Sequence, residues 1–219
     1  KYTSHVAVSG FFQLSRNHDS TAIQAFTQLG PIGILPYENK KLVNFVLSID
    51  KARYKRIASK KTPELYICEK LNDFFSNINL ELKPIKKINK IDNKLTSWSL
   101  DLNYVFNPTS YRSILIGDAA HSIHPLAGQG FNLAMRDCVT AVNSIKNCLK
   151  NGGELGDPSI LTNYKKNRLP NTIAMSAITD FLFYSFTSDS KRTRSLLTSG
   201  FELLDKTPFK NVFRDLASI

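Results

Sequence analysis

Residues 113–137 combine an apolar run, an acidic side chain and a glycine-bracketed helix start within one short stretch. Asp118 directly follows the run 113–117, at the carboxyl end of a predicted strand, which is where α/β folds place their ligands. Its carboxylate can accept hydrogen bonds from the hydroxyls of a sugar or polyol. Gly128 and Gly130 bracket the next helix start, whose backbone N–H groups and positive end attract a partly negative ligand atom. The pattern predicts a cofactor cradle.

Other chemistries are weaker explanations of the same residues. Asp118 alone is also compatible with a turn-capping role. His121 and His124 are three residues apart, but no third ligand lies nearby in the sequence and there is no Cys-x-x-Cys pair, so we predict local hydrogen bonds and no metal. No Gly-x-Ser-x-Gly elbow is present, which argues against a serine hydrolase.

The whole string is more specific than its parts. Residues 117–137 read GDAAHSIHPLAGQGFNLAMRD and resemble the second flavin-binding motif of class A flavoprotein monooxygenases, which have the para-hydroxybenzoate hydroxylase-like fold. Within that group, the string looks like the ubiquinone-biosynthesis hydroxylases. Three further stretches resemble the same enzymes: AFTQLGPIGILP at residues 25–36, the pair Tyr164 and Arg168, and Thr179-Asp180.

The resemblance implies FAD as cofactor, NAD(P)H as reductant and hydroxylation of an aromatic ring with O2. Asp118 is implied to bind the ribityl chain, and Pro125 to lie beside the reactive edge of the flavin. The backbone around the helix start is implied to face the pyrimidine end. No side chain is implied with certainty as a catalytic acid or base. The implied cofactor-binding residues are Gly117, Asp118, Pro125, Ala127, Gly128, Gln129, Gly130, Phe131 and Asn132.

The spacing of apolar residues predicts the strands and helices that position this motif. Before it, β-branched and aromatic residues predict strands over 6–14, 21–27, 32–36 and 42–49, then two helices, over 51–59 and from Pro63. Strand-like pattern returns over 80–107. After the motif, a helix is predicted from Gly130 to Lys150, followed by a helical stretch over 158–186 that kinks or breaks at Pro170. In the predicted helix from Gly130 to Lys150, the apolar residues share one face: Phe131, Ala134 or Met135, Cys138, Val142, Ile145 and Leu149.

These elements predict an α+β chain, a fragment of an α/β FAD-binding fold. An antiparallel substrate-domain sheet with helices is expected over residues 1–107. The second flavin motif follows over 108–155, and a C-terminal helical region over 156–219.

Composition limits the class of protein. The chain has 219 residues, 42% of them hydrophobic, and a net charge of +11, as in globular domains. Three scattered cysteines argue against a disulfide framework and for a reducing compartment. No apolar run reaches the roughly 18 residues of a membrane span.

The positive charge predicts either an anionic partner or simply a lysine-rich solvated surface. No nucleic-acid motif accompanies it, so nucleic acid is not expected. The basic segment 191–214 interleaves with apolar residues, which favours either packing on the fold or peripheral membrane contact. The expected location is cytoplasmic, at the inner membrane surface if that contact exists.

The nucleotide-binding unit of the resembled family has no counterpart in the sequence, because no Gly-x-Gly-x-x-Gly occurs in it. We therefore expect the chain to correspond to the later portion of such an enzyme. Two alternatives follow. Either an N-terminal FAD-binding half on a separate chain completes an enzyme acting on an aromatic, polyprenylated ubiquinone precursor, or the chain is a non-catalytic remnant.

Overall fold

The computed structural model describes residues 4–78, 80–85, 87–88, 91–92, 94–124 and 129–187. The chain divides into two compact units, the first ending at Leu100 and the second beginning at Asp101. The three-part functional division given above stays a prediction.

The first unit is built on an antiparallel sheet. Its strands follow the order β2-β3-β4-β1-β5, and β8 pairs with β1 on the same side as β5. The central strand β1 pairs with β4 along nearly its whole length, from His5 opposite Asp50 to Gln13 opposite Leu42. The four strands predicted in the first fifty residues are present and antiparallel, and β2, β3 and β4 pair consecutively, but β1 pairs with β4 rather than with β2. The strand bounds are β1 His5–Leu14, β2 Ile23–Thr27, β3 Gly30–Pro36, β4 Leu42–Asp50, β5 Leu82–Pro84, β6 Lys87–Ile88, β7 Ile91–Asp92 and β8 Thr96–Ser99.

Two helices complete this unit: α1 spans Lys51–Ala58 and α2 spans Pro63–Phe75. Asp50 caps α1, because its carboxylate accepts the Arg53 backbone N–H at 2.9 Å. Apolar side chains from the sheet and both helices form one core, in which the Phe12 and Phe45 rings stack 4.4 Å apart. The largest fully buried side chains of this core are Phe12, Phe45, Ile32, Ile34, Leu47, Ile49, Ile67, Leu71 and Leu82.

The second unit contains short strands and two long helices. Strands β9 and β12 pair with each other, as do β10 and β11, both antiparallel. Helices α3 and α4 pack together, and a single 3₁₀ turn packs against α3. The bounds are β9 Asn103–Tyr104, β10 Thr109–Ser110, β11 Ser113–Ile114, the 3₁₀ turn Gly117–Ala119, β12 His121–Ser122, α3 Gln129–Lys150 and α4 Pro158–Thr187.

Of the kink or break predicted at Pro170, the break does not occur, since α4 runs without interruption through this residue. A proline inside a helix removes one hydrogen bond and crowds the preceding turn. Here Pro170 is exposed, so water can solvate the freed carbonyl group. Buried side chains on both sides, Tyr164 and Arg168 before it and Thr172 after it, hold the helix together.

The apolar residues of α3 do share one face, but most of that face is exposed. The buried face of α3 carries Asp137 and Ser144 among its residues. Within the described residues, no helix is both long enough and apolar enough to cross a membrane. The part of the predicted C-terminal helical region after residue 187, including the basic segment 191–214, lies outside the described residues.

Candidate functional site

Gly117 makes the turn that carries Asp118. Its backbone φ of +61° lies in the left-handed region, which favours glycine. A Cβ atom at this position would lie 3.2 Å from the Ala134 Cβ, so a side chain here would require α3 or the turn to shift by a few tenths of an ångström. The Ala120 N–H closes the turn by donating to the Gly117 carbonyl at 2.8 Å. The backbone conformation of the turn therefore favours glycine, and its close contact with α3 adds to that preference.

Asp137 of α3 holds this turn in place through hydrogen bonds from its buried side. Its side chain is 1% exposed, and its Oδ2 accepts the Gly117 backbone N–H at 2.9 Å. The same oxygen accepts from His121 Nε2 at 2.7 Å, and Oδ1 accepts from Arg168 Nε at 2.7 Å. Because a carboxylate only accepts, Nε2 carries the proton in the His121 contact. One buried carboxylate thus connects the turn, β12, α3 and α4.

Charge balance explains how Asp137 is tolerated in the interior. Burial alone would raise the pKa of Asp137, but hydrogen bonds from His121, Gly117 and Arg168 outweigh burial, and the pKa lies below its usual range. Arg168 is itself buried, and its guanidinium also donates to the Leu133 carbonyl at 3.4 Å. The pair is therefore a desolvated, hydrogen-bonded ion pair, in which removing either partner is costly.

Tyr164 provides a second link between α4 and the segment before the turn. Its hydroxyl donates to the Leu115 carbonyl at 3.1 Å. Burial, and after it the negative charge of Asp137, raises the pKa of Tyr164 to about 12, so the phenol stays protonated and remains a donor at neutral pH. The backbone on the N-terminal side of Gly117 is thus held by α4, and Gly117 itself by α3.

His121 also faces a small cavity. It lies directly opposite Tyr104 in the β9–β12 pair. The Tyr104 hydroxyl and His121 Nδ1 are buried and have no hydrogen-bond partner in the part of the chain that the structure describes. Both residues line a cavity of about 10 Å³, roughly the volume that one water molecule requires. Burial raises the pKa of Tyr104 as well.

His124, at the end of the described part of the loop, packs against α4. Its ring stacks on Phe183 with 3.6 Å between ring centroids and an interplanar angle of 12°. Its Nε2 lies 3.8 Å from the Asp180 carboxylate, whose pKa is raised by burial. The loop is therefore anchored at His124 by α4, as it is anchored at Gly117 by α3.

In contrast, the side chains of Asp118 and of Phe131 at the start of α3 are exposed to solvent. The Asp118 side chain is exposed, and no hydrogen bond or ion pair joins it to another described residue. A Cβ atom at Gly130 would meet nothing within 4 Å, and Phe131 is exposed. The 22-residue α3 begins at Gln129, and the positive end of a helix attracts negative charge.

These open groups fit a ligand with a polyol chain and a partly negative ring edge. The turn bearing Asp118 meets α3 at Ala134, one helical turn beyond Gly130, so both features lie on the same strand–turn–helix segment. Gln129 and Asn132 are linked at the helix start through their side-chain amides, 3.4 Å apart. The residues present therefore fit the flavin implied by the sequence resemblance.

Of the nine sequence-predicted binding residues, the structure describes six. Pro125, Ala127 and Gly128 lie outside the described residues. The binding roles of all nine stay predictions. The sequence analysis assigned no role to Asp137 or Arg168, although both belong to the stretches that carry the resemblance. The available signal was a charged residue at position 137, at helical spacing from Leu133 and Ala141, which share the buried face of α3.

Comparison with known proteins supports the resemblance. The family described as FAD binding domain matches residues 9–179. The ubiquinone biosynthesis monooxygenase COQ6 of Dictyostelium discoideum is 30% identical over 217 residues, covering 88% of this chain and 43% of that protein. The ubiquinone hydroxylase UbiL of Rhodospirillum rubrum is 28% identical, covering 80% of this chain and 38% of that protein. The chain therefore spans less than half the length of these two relatives.

Solved structures confirm the predicted fold class. The flavin-dependent brominase Bmp2 superimposes with a TM-score of 0.67 at 13% identity, over 99% of this chain and 50% of that one. Klebsiella pneumoniae HpxO, solved as a complex with FAD, gives a TM-score of 0.65 at 14% identity, over 99% of this chain and 54% of that one. At these identities the likeness concerns the fold alone.

Proposed function

The chain belongs to the FAD binding domain family, and on that premise we propose that it forms the later portion of an FAD-dependent monooxygenase. The proposed reaction is hydroxylation of an aromatic ring in a ubiquinone precursor. The names of the curated relatives, COQ6 and UbiL, support this reaction. NAD(P)H as reductant, a polyprenylated substrate and peripheral contact with a membrane are finer parts of the same proposal.

One observation carries the proposal: an exposed carboxylate with no partner among the described residues lies on a turn that packs against the first turns of α3. Asp118 is the group that would accept hydrogen bonds from the ribityl hydroxyls. Backbone N–H groups at Gly130, Phe131 and Asn132 would face the pyrimidine end of the ring system, where the positive helix end favours negative charge. Bound FAD supplies the oxygen-activating chemistry, and the protein supplies its orientation.

The buried residues have a separate role in this proposal. Asp137 and Tyr164 hold the two peptide groups on either side of Ile116, and His124 holds the far part of the loop. None of these three side chains needs to touch the cofactor. Their function is to keep Asp118 at one position relative to the helix start, because a bound ring loses affinity when its contacts shift.

The test is a titration of the purified protein with FAD, followed by flavin fluorescence, for wild type, Asp118→Ala and Asp101→Ala. We expect saturable binding in the micromolar range, corresponding to roughly −8 kcal/mol. Asp118→Ala should weaken binding about tenfold, the effect of one hydrogen bond to a charged group. Asp101 is also exposed and belongs to the same unit, so Asp101→Ala is the matched control and should bind like wild type.

Thermal unfolding of the same three proteins shows whether an affinity change reflects misfolding. Asp118 is exposed, so its replacement should leave the unfolding temperature unchanged. Absence of saturable binding, or equal affinities for wild type and Asp118→Ala, would contradict the proposal.

A further inference from the structure

The hydrogen bonds of His121 account for only one of its two ring nitrogens. Nε2 donates to Asp137 at 2.7 Å, so in the neutral ring Nδ1 carries no proton and can only accept. His121 is 3% exposed, and its Nδ1 has no partner among the described residues. A buried acceptor without a donor is destabilising, so this nitrogen requires a donor from the cavity that His121 lines.

Tyr104 carries the second unpaired group. It lies directly opposite His121 in the antiparallel β9–β12 pair, and opposite residues of such a pair project their side chains to the same side. Its ring packs edge-on against Phe106 with 4.9 Å between ring centroids, and its hydroxyl is buried without a partner in the described part of the chain. Burial raises the pKa of Tyr104, so the phenol stays protonated at neutral pH and remains a donor.

The cavity between these groups limits what can join them. Its volume of about 10 Å³ is roughly that of one water molecule and admits nothing larger. Tyr164 and Thr172 line the same cavity, but their hydroxyl protons are already donated to backbone carbonyls. Among the described hydroxyls that line the cavity, the Tyr104 hydroxyl is therefore the one whose proton is available, and the other two can only accept.

We propose that this cavity is a binding site for one water molecule, and that Tyr104 is a positioning residue for the cofactor turn, acting through that water. The water accepts from Tyr104 Oη, donates one proton to His121 Nδ1 and donates the other to the Tyr164 or Thr172 hydroxyl oxygen. Three hydrogen bonds are the usual number for a buried water. The inference rests on the proposed function, because the turn matters only if it presents Asp118 to a cofactor.

The water decides which ring nitrogen of His121 carries the proton. Because Tyr104 donates to the water, the water directs its own protons to acceptors, and a hydrogen bond at one imidazole nitrogen sets the protonation of the other. With a donor at Nδ1, the proton stays on Nε2 and is donated to Asp137 Oδ2. The same oxygen accepts the Gly117 N–H at 2.9 Å. Tyr104 is thus connected to the turn that bears Asp118 without touching the cofactor.

The experiment compares wild type, Tyr104→Phe and Tyr111→Phe by NMR spectroscopy. Tyr104→Phe keeps the aromatic ring but removes the donor. Tyr111 is 88% exposed and belongs to the same unit, so Tyr111→Phe is the matched control. In wild type, we expect the imidazole nitrogen resonances of His121 to show a neutral ring with its proton on Nε2. We also expect a nuclear Overhauser contact between the ring protons and a long-lived water.

The variants test whether the water acts on the turn. In Tyr104→Phe, the water contact should be lost and the Gly117 amide hydrogen should exchange about fivefold faster, the effect of one neutral hydrogen bond. Tyr111→Phe should match wild type. Three results would overturn the inference: a proton on Nδ1 in wild type, no contact with a long-lived water in wild type, or equal Gly117 exchange rates in all three proteins.

Titration of the same proteins with FAD separates this inference from the proposed function. Tyr104→Phe should weaken FAD binding about twofold to fivefold, and Tyr111→Phe should bind like wild type. Equal FAD affinities of Tyr104→Phe and wild type would overturn the positioning role. No saturable binding in any protein, with the expected NMR results, would reject the proposed function and retain the water site. Binding that depends on Asp118, with no water contact at His121, would reject this inference alone.

Discussion

Replacing Asp137 by Asn tests whether the buried carboxylate holds the cofactor turn. In the structure, two oxygens accept from three donors, with Gly117 and His121 on one oxygen and Arg168 on the other. An amide offers one oxygen, so in either orientation its NH2 group faces a donor. The change also leaves the buried Arg168 guanidinium without its counter-charge.

The expected loss follows from these contacts. Breaking a buried ion pair on one side costs about 3–5 kcal/mol, a large part of the 5–15 kcal/mol that stabilises a typical domain. We expect Asp137→Asn to lower the free energy of unfolding by at least about 3 kcal/mol. Asp101→Asn is the matched control. Asp101 is exposed and belongs to the same unit as Asp137, so its replacement should change the free energy of unfolding by no more than about 0.5 kcal/mol.

The assay is urea unfolding followed by circular dichroism at 222 nm. This signal reports mainly the second unit, because α3 and α4 contain 22 and 30 residues against 8 and 13 in α1 and α2. A loss below about 1 kcal/mol for Asp137→Asn would refute the reasoning, because it would mean that the carboxylate is neither desolvated nor required by Arg168.

The pH dependence gives an independent check on the same residue. The pKa of Asp137 is lowered in the folded protein, so its ionisation contributes stability that is fully present above the unfolded pKa of about 3.9. This contribution is lost as the pH falls through the lowered folded pKa. The stability difference between wild type and Asp137→Asn should therefore be constant above about pH 5 and should narrow below about pH 4. A difference that stays constant across the acid range would assign the loss to packing rather than charge.

Three further outcomes are expected. Tyr164→Phe should lower the free energy of unfolding by about 1 kcal/mol, the value of one hydrogen bond. Because the chain has eight tyrosines, the ionisation of Tyr164 is read from the difference in absorbance at 295 nm between wild type and Tyr164→Phe, which should appear only near pH 12. Gly117→Ala should lower the free energy of unfolding by about 1–2 kcal/mol because residue 117 has a left-handed backbone. Gly130→Ala should leave the free energy of unfolding unchanged or raise it, because a Cβ atom there meets nothing within 4 Å; equal losses for the two variants would contradict this account. A disulfide exchange reagent at pH 8 should modify the exposed Cys138 quickly and leave Cys68 unreacted, because Cys68 is buried and burial raises the pKa of its thiol to about 11. Similar reaction rates for the two cysteines would be inconsistent with the structure.

Much of the fold was predictable because its signals are local. The first four strands and the two helices after them follow from β-branched runs, from turn residues and from helical spacing. The limits of α3 follow from the glycines at 128 and 130 and at 152 and 153. The family resemblance was also available, since a long string with its own residue types and spacing identifies a flavin motif where a single Gly-x-Gly does not.

The features that were missed depend on partners distant in sequence. Pro170 lies within an unbroken α4 because Arg168 and Thr172 on either side of it are buried, which the proline alone does not reveal. In the sequence, Asp137 is one polar residue of α3 among several. Its role depends on two hydrogen-bond donors that are distant along the chain: Arg168, 31 residues later, and His121, 16 residues earlier.

The amino-acid order alone thus predicts the order and type of the elements, the glycine turn with its following carboxylate, and the family to which the motif belongs. These depend on backbone conformational limits and on periodicity, which act over a few residues. The packing of the folded chain, in contrast, fixes which face of α3 is buried, makes Asp137 rather than an apolar residue hold the turn, and leaves the Asp118 side chain exposed. Those outcomes depend on which surfaces meet, because burial and desolvation are properties of a packed assembly of elements and not of any one segment.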